Sequence, residues 1–366
     1  VISKPKAFGR EIVSRIYKMK DFNLNNLIRE NINNIKPYSS ARDEYKEATA
    51  DMVFIDANEN PFQTNVNRYP DPQQSKVKKR LAEIKGVNPS QILLGNGSDE
   101  VLDLLFRAFC EPKQDNVITL PPTYGMYSVL ADLNAVDVIS IELDDNFEPK
   151  VSEILSSQNS NSKLLFLCSP NNPTANSFNA SKVEELIEGF NGLVVIDEAY
   201  IDFSSQESWL SKLDEFPNLI ITQTLSKAYG LAGIRLGICY ASVEIISVLN
   251  KIKPPYNVNQ LTQDKALERL TSLDEVNKEV NSILNERELL VTQLSEISVI
   301  KNIYPSDANF ILVKVDNANL RYNQLIEKGI VVRNRTTQPL CENCLRFTIG
   351  TEEENNTLIK TLNQLS

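Results

Sequence analysis

Histidine is absent from all 366 residues of the chain. That absence excludes Ser-His-Asp and Cys-His nucleophilic systems and every histidine-ligated metal centre. Acid–base work must therefore fall to Lys, Tyr, Asp, Glu or Cys. Cysteine is scarce as well: five, an odd count scattered along the chain. This argues against a disulfide scaffold and for a reducing compartment such as the cytoplasm. Positive charge is in deficit, with 38 Lys and Arg against 48 Asp and Glu and a net charge of −10. A surface of that sign is wrong for gripping a phosphate backbone, so no nucleic-acid partner is expected. No apolar run approaches the length of a membrane span; LLFLC at 164–168 has strand length, and no membrane partner is expected. Internal repeats and low-complexity segments are also missing.

What is present has the composition of a globular protein, 42% hydrophobic and 23% charged, long enough for two domains with a sizeable core. Seven short apolar runs recur, at 92–94, 117–120, 138–141, 164–168, 193–196, 219–222 and 236–241. Amphipathic helical stretches separate several of them, including 101–109 and 183–190, the second with Ser181 and Glu184 placed as a capping box. Alternating strands and helices with continuous strand hydrophobicity predict an α/β fold: a mostly parallel seven-stranded sheet covered by helices. After Pro255 the pattern changes. A long helical-period segment over about 260–297 carries Leu273, Val276, Val280, Ile283, Leu290 and Leu294. Short strands at 309–315 and 345–349 and helical stretches around 318–328 and at the C-terminus predict a smaller α+β domain. The boundaries drawn are 49–258 for the large domain, 259–366 for the small one and 19–48 for an N-terminal arm. Residues 1–18, rich in Lys and Arg, read as a leader or as residues ahead of a true start at Met19. Cys341 and Cys344 form a CxxC with no second pair, read as small residues in a surface turn leading into the strand at Leu345.

The chemistry concentrates between residues 169 and 237, in SPNNPT (169–174), DEAY (197–200) and TLSKAYGLAGIRLG (224–237). One amine, one carboxylate, one phenol, one amide and one guanidinium each follow or flank an apolar run. That set fits pyridoxal phosphate, which carries an aldehyde, a ring nitrogen, a phenolic oxygen and a phosphate. Lys227 would form the Schiff base. Asp197, at a strand end where open α/β sheets bind ligands, would keep the ring nitrogen protonated. Asn172 and Tyr200 would hydrogen-bond the phenolic oxygen, and Arg235 would fork onto the phosphate. GNGSDE (95–100) lacks the third glycine of a dinucleotide fingerprint, because Glu100 stands there. Its Ser98 and Asp99 amides instead suit an anion at a helix N-terminus, and with Ser226 and Arg235 they make a phosphate cup. Tyr124 would stack on the cofactor ring.

Taken together, these motifs resemble the fold-type I, class II pyridoxal-phosphate aminotransferases, and among them the histidinol-phosphate aminotransferases. The resemblance is carried by IKPYSSAR (35–42), DANENPF (56–62), NRYPDPQ (67–73), GSDEVLDLLFRAFCEP (97–112), PPTYGMYSV (121–129), CSPNNPT (168–174), DEAYIDF (197–203), TLSKAYGLAGIRLG (224–237) and CLRFTIGT (344–351). It runs from about Met19 to the C-terminus. It implies transamination between L-histidinol phosphate and 2-oxoglutarate, used in reverse in histidine biosynthesis. Lys227, Asp197 and Tyr200 are implied as catalytic, with Lys227 also the proton shuttle. The resemblance also implies a homodimer with shared active sites, in which Tyr69 reaches the partner subunit's cofactor phosphate. Tyr38, Arg333 and Arg346 match positions that grip the substrate phosphate or the carboxylates of glutamate. One departure is Ala175-Asn176, where the family usually carries glycine, which puts the local turn in question. A threonine-phosphate decarboxylase and an aromatic-amino-acid aminotransferase share the fold and stay open. A cofactor-sensing regulator without turnover would need an appended DNA-binding domain.

Overall fold

The computed structural model describes residues 22–36 and 53–365. Tyr38, the segment 1–18 and half of the 19–48 arm lie outside the described residues. All seven apolar runs are strands: β1 (Ile92–Asn96), β2 (Asn116–Thr119), β3 (Asp137–Ser140), β4 (Ser162–Cys168), β5 (Leu193–Asp197), β6 (Leu219–Thr224) and β7 (Leu236–Ala241). They form one sheet in the order β1-β7-β6-β5-β4-β2-β3. Only β7 runs against the others, pairing antiparallel with both β1 and β6.

Continuous hydrophobicity in these strands has a direct cause, since successive side chains point to opposite faces and both faces are covered. In β4, Leu165 and Leu167 enter one core with Val194, Ile196 and Ile221. Leu164 and Phe166 enter the other, with Val195, Ile220 and the helix Ser98–Phe109. Each fully buried Leu, Ile or Phe contributes about 1.5–3 kcal/mol.

The second sheet is antiparallel, in the order β10-β11-β9-β8, from β8 (Ile300–Ile303), β9 (Phe310–Val315), β10 (Arg333–Asn334) and β11 (Cys344–Thr348). Its two faces also part company. Ile311, Val313, Leu345 and Phe347 pack under the helices Ala318–Glu327 and Glu352–Gln364. Phe310, Leu312 and Cys344 instead join the core of the first sheet. The small sheet therefore turns one face toward the large one, and this placement brings Arg346 to the site described below.

Three local expectations need correction. The helix Ala180–Gly189 is capped by Asn179, whose side chain accepts from the Ser181 and Lys182 amides, so Ser181 lies in the first turn and makes no capping box. The segment after Pro255 is two helices, Gln260–Thr271 and Leu273–Leu294, because Ser272 leaves helical geometry between them. Cys341 and Cys344 do form a turn, with the Cys344 amide donating to the Cys341 carbonyl at 3.0 Å, but both are fully buried rather than at the surface. The inward face of β11 explains this burial.

Lys78, on the helix Ser75–Lys85, is buried beside Lys253. Burial first, and then the Lys253 charge, lowers its pKa from 10.5 to about 8. A depressed folded value means the unfolded chain binds more protons between about 8 and 10.5, so stability rises with pH through that window. Below it the full cost, about 3 kcal/mol, is present. Lys78→Met is expected to raise the urea midpoint at pH 7 and to flatten the rise between pH 8 and 10. An unchanged pH profile in the variant would refute the assignment.

Candidate active site

The parallel strands end along one edge, and the candidate groups stand on the loops that leave it. Cys168, Asp197 and Thr222 are register partners across β4, β5 and β6. The reversal of β7 places its start at the same edge, where Leu236 pairs with Asn96 and Gly237 with Thr224. Arg235, just before β7, thereby meets the loop after β1, and its carbonyl accepts from the Gly97 amide at 2.8 Å. Gly237 permits this approach: a Cβ there would lie 2.2 Å from the Ser98 nitrogen. Arg235 itself sits at φ 57°, a left-handed conformation that costs a non-glycine residue about 1–2 kcal/mol.

Ser98, Asp99, Tyr124, Asn172, Asp197, Tyr200, Ser226, Lys227 and Arg235 line one cavity of about 140 Å³, together with Cys168 and Thr224. A larger hollow of about 700 Å³ between residues 22–33 and 242–251 gathers no comparable set of groups, so size does not locate the site.

The anion end of the cavity is built by the helix Ser98–Phe109, whose N-cap Gly97 offers no side-chain cap. Amides at such a start carry free N–H groups and the positive end of the helix dipole. The Ser226 hydroxyl, bonded to Thr224 Oγ1 at 3.0 Å, and the half-exposed Arg235 guanidinium complete the cup. Arg235 leans loosely on Asp99, at 3.8 Å.

The opposite wall is a buried carboxylate. Asp197 is 3% exposed, accepts from the Tyr127 hydroxyl at 2.9 Å and from the Ala199 amide at 3.2 Å, and has no cation at salt-bridge distance among the described residues. Burial pushes its pKa up against the pull of those bonds. A buried carboxylate lacking a cation suits a ligand that brings a positive N–H. Tyr127 was not among the residues singled out from sequence; its spacing of three from Tyr124, on one face of a helix start, is the signal that could have found it. Tyr127 stacks on Phe166 with centroids 4.7 Å apart, which fixes the hydroxyl on Asp197. Tyr124 meets Tyr127 edge to face, and its hydroxyl donates to Asp99 Oδ1 at 3.0 Å.

Lys227 stands between these ends, its Nζ 5.6 Å from the centre of the Tyr200 ring. Burial, followed by the Arg346 charge, lowers its pKa. Burial raises that of the Tyr200 phenol. Asn172 faces the cavity through the 169–177 loop, where Ala175 takes the left-handed conformation (φ 69°) that glycine would adopt. The turn is kept, held by Ala175 N–H to the Asn171 carbonyl at 2.7 Å and tied to the small sheet's side through Asp307.

Of the remaining sequence candidates, Arg346 reaches the site: its Nη1 donates to Asn172 Oδ1, and its guanidinium lies 5.0 Å over the Phe310 ring. Arg333 is exposed and pairs with Arg346 across the ladder. Tyr69 does not line this cavity. It is half-exposed and stacks on Tyr256 at 4.5 Å. Arg335, two residues beyond Arg333, was missed, although alternation along a strand puts both on one face.

The donor set fits pyridoxal phosphate: an amine with a lowered pKa for the aldehyde, a buried carboxylate for the ring nitrogen, and an anion cup for the phosphate. Comparison with known proteins agrees with the geometry. Residues 40–362 match the family described as aminotransferase class I and II. The histidinol-phosphate aminotransferase of Flavobacterium johnsoniae is 65% identical over 349 residues, 95% of this chain and 100% of that protein. Among solved structures, the histidinol-phosphate aminotransferase of Clostridium acetobutylicum superposes with a TM-score of 0.76 at 24% identity, covering 82% of this chain and 91% of that one. The Sinorhizobium meliloti histidinol-phosphate aminotransferase in complex with pyridoxal-5'-phosphate gives 0.75 at 23%, covering 82% and 85%. These two likenesses show a shared fold.

Proposed function

The chain belongs to the class I and II aminotransferases, and on that premise we infer that it catalyses pyridoxal-phosphate-dependent transamination between L-histidinol phosphate and 2-oxoglutarate. The products are imidazole-acetol phosphate and L-glutamate, with the reverse direction serving histidine biosynthesis. One observation carries the reading: amine, carboxylate and anion cup converge on a single cavity in a chain that matches such an enzyme over 95% of its length.

When bound, pyridoxal phosphate supplies an aldehyde that condenses with amines and a protonated ring that draws electrons from the substrate α-carbon. The protein's part is positioning and proton handling. The Ser98 and Asp99 amides, the Ser226 hydroxyl and Arg235 would hold the phosphate. Asp197, oriented by Tyr127, would keep the ring nitrogen protonated. Asn172 and Tyr200 would hydrogen-bond the phenolic oxygen, and Tyr124 would stack on the ring. The lowered pKa of Lys227 leaves a larger share as free amine, the form that attacks a carbonyl and takes a proton from carbon. Arg333 and Arg346, with Tyr38, grip the substrate's phosphate or the carboxylates of glutamate.

The active unit in this proposal is a cytoplasmic homodimer, with Tyr69 of each subunit reaching the other's cofactor phosphate. Its support is the position of Tyr69 away from its own cavity, beside exposed Val66 and Leu261. Full activity in a species that sediments as a monomer would remove Tyr69 from the site. The proposed domain division is the one drawn from the sequence, 49–258 for the large domain and 259–366 for the small one. Among the described residues, no helix is long and apolar enough to cross a membrane.

The test is a half-reaction followed by absorbance. L-histidinol phosphate is expected to bleach the absorbance of the cofactor-loaded enzyme, and 2-oxoglutarate to restore it. Reaction with L-threonine phosphate alone, with release of carbon dioxide, would replace transamination by decarboxylation.

A further inference from the structure

The small sheet carries a third arginine toward the site. Arg333 is the register partner of Arg346, and the ladder continues one bond further, the Arg335 amide donating to the Cys344 carbonyl at 2.9 Å. Alternate residues of a strand share a face, and so do directly opposed residues of an antiparallel pair. Arg333, Arg335, Cys344 and Arg346 therefore leave the sheet on one side. Cys344 is packed in the core of the large sheet, so this side faces that sheet, and the Arg346 bond to Asn172 connects it to the cavity. Arg346 lies over Phe310, and the Phe310 ring meets the Tyr200 ring edge to face at 5.0 Å.

None of the three guanidiniums has a carboxylate at salt-bridge distance among the described residues. Arg335 is half-buried, and its buried Nε has no hydrogen-bond partner, a condition shared by Arg346 Nε. The titratable groups facing Arg335 are Arg333, Cys341 and Tyr200, and those facing Arg346 are Arg335, Tyr200, Arg333 and Lys227. No negative charge is among them at neutral pH. Clustered, partly desolvated cations of this kind are costly unless an anion joins them.

We propose that Arg335 is a specificity residue for the phosphate monoester, supplying a further guanidinium contact that the carboxylate substrate does not need. The proposal rests on the transaminase reading of the same site. The chemistry distinguishes the two ligands. A carboxylate has two oxygens, which one arginine fork satisfies. A phosphate monoester has three terminal oxygens and about two negative charges at pH 7. The groups already assigned serve the first, while the second calls on a further neighbour on the same face. Burial, then the mutual repulsion within the cluster, lowers the pKa of Arg335, and that of Arg346 to about 10. A bound dianion relieves this.

The experiment compares the cofactor-loaded wild type with Arg335→Gln and Arg335→Lys, using L-histidinol phosphate and L-glutamate between pH 5.5 and 8.5. Arg335→Gln is expected to raise KM for histidinol phosphate about 10- to 100-fold, the range of a lost charged hydrogen bond. KM for glutamate and both kcat values should stay within about threefold. The penalty should shrink below about pH 6, where the phosphate dianion takes up a proton and becomes a monoanion. Arg335→Lys keeps the charge without the fork and should recover part of the loss. Equal rises for both substrates, an unchanged KM for histidinol phosphate, or a pH-independent penalty would each overturn the proposal.

Calorimetric binding of inorganic phosphate to the loaded proteins separates the two layers. If the wild type fails to turn over histidinol phosphate but binds phosphate more tightly than Arg335→Gln does, the transaminase reading falls and the anion role of Arg335 stands. Equal phosphate binding by both removes that role even if turnover is found.

Discussion

Lys227→Ala is expected to lower transamination at least about 10⁴-fold while leaving the fold and the anion cup intact. One amine carries two tasks in the proposed mechanism, condensation with the cofactor aldehyde and proton transfer at carbon. No neighbour replaces it. The chain has no histidine. Burial raises the pKa of the Tyr200 and Tyr124 phenols, so neither is a base at neutral pH. Asp197 is buried and occupied by Tyr127 and the Ala199 amide. The measurement is single-turnover kinetics with L-histidinol phosphate, joined to mass spectrometry after borohydride treatment. Borohydride should fix the cofactor to the wild-type chain and not to the variant. Turnover within tenfold of wild type would remove Lys227 from both tasks.

The second large effect belongs to Asp197→Asn, for which kcat should fall about 10²- to 10³-fold, the scale of losing one preorganised electrostatic contact. An amide fills the same space but cannot hold a proton on the ring nitrogen. Stability gives an independent reading. In the cofactor-free protein, burial raises the Asp197 pKa above its ordinary value. Between the ordinary carboxylate range and that raised value, the folded protein holds more protons than the unfolded chain. Stability then falls as pH rises through that window. Asparagine removes this slope, so the cofactor-free variant should melt no lower than wild type at pH 7. The loaded variant should lose much of the stabilisation that cofactor binding confers. Melting temperatures of both forms at several pH values from 4 to 8 decide the matter. A cofactor-free wild type that grows more stable across the window would contradict the account.

The strands were legible because burial of both faces leaves an unmistakable pattern: LLFLC at 164–168 is apolar at every position since Leu165 and Leu167 serve one core while Leu164 and Phe166 serve the other. Local signals were less dependable where two candidates competed. Asn179 and Ser181 are both capping residues, and the choice between them depends on where the chain enters the helix. The burial of Cys341 and Cys344 was hidden for a different reason, because a turn reads as surface until another layer covers it. The three cis bonds at Pro121-Pro122, Ser169-Pro170 and Asn172-Pro173 likewise leave no mark that distinguishes them from ordinary X-Pro bonds.

The amino-acid sequence alone determined the chemical inventory: no histidine, an amine, a carboxylate, a phenol and arginines at strand ends, in an order that resembles one enzyme family. Residue identity and spacing are local properties, and the chemistry needs those types in those places. Tertiary structure decided which of them meet. The reversal of β7 carries Arg235 to the loop after β1. The helix after β2 brings Tyr127, rather than Tyr124, onto Asp197. The register of β10 on β11 turns Arg335 to the same side as Arg346. Strand direction, register and facing arise from pairings between residues far apart in the chain, which no local pattern records.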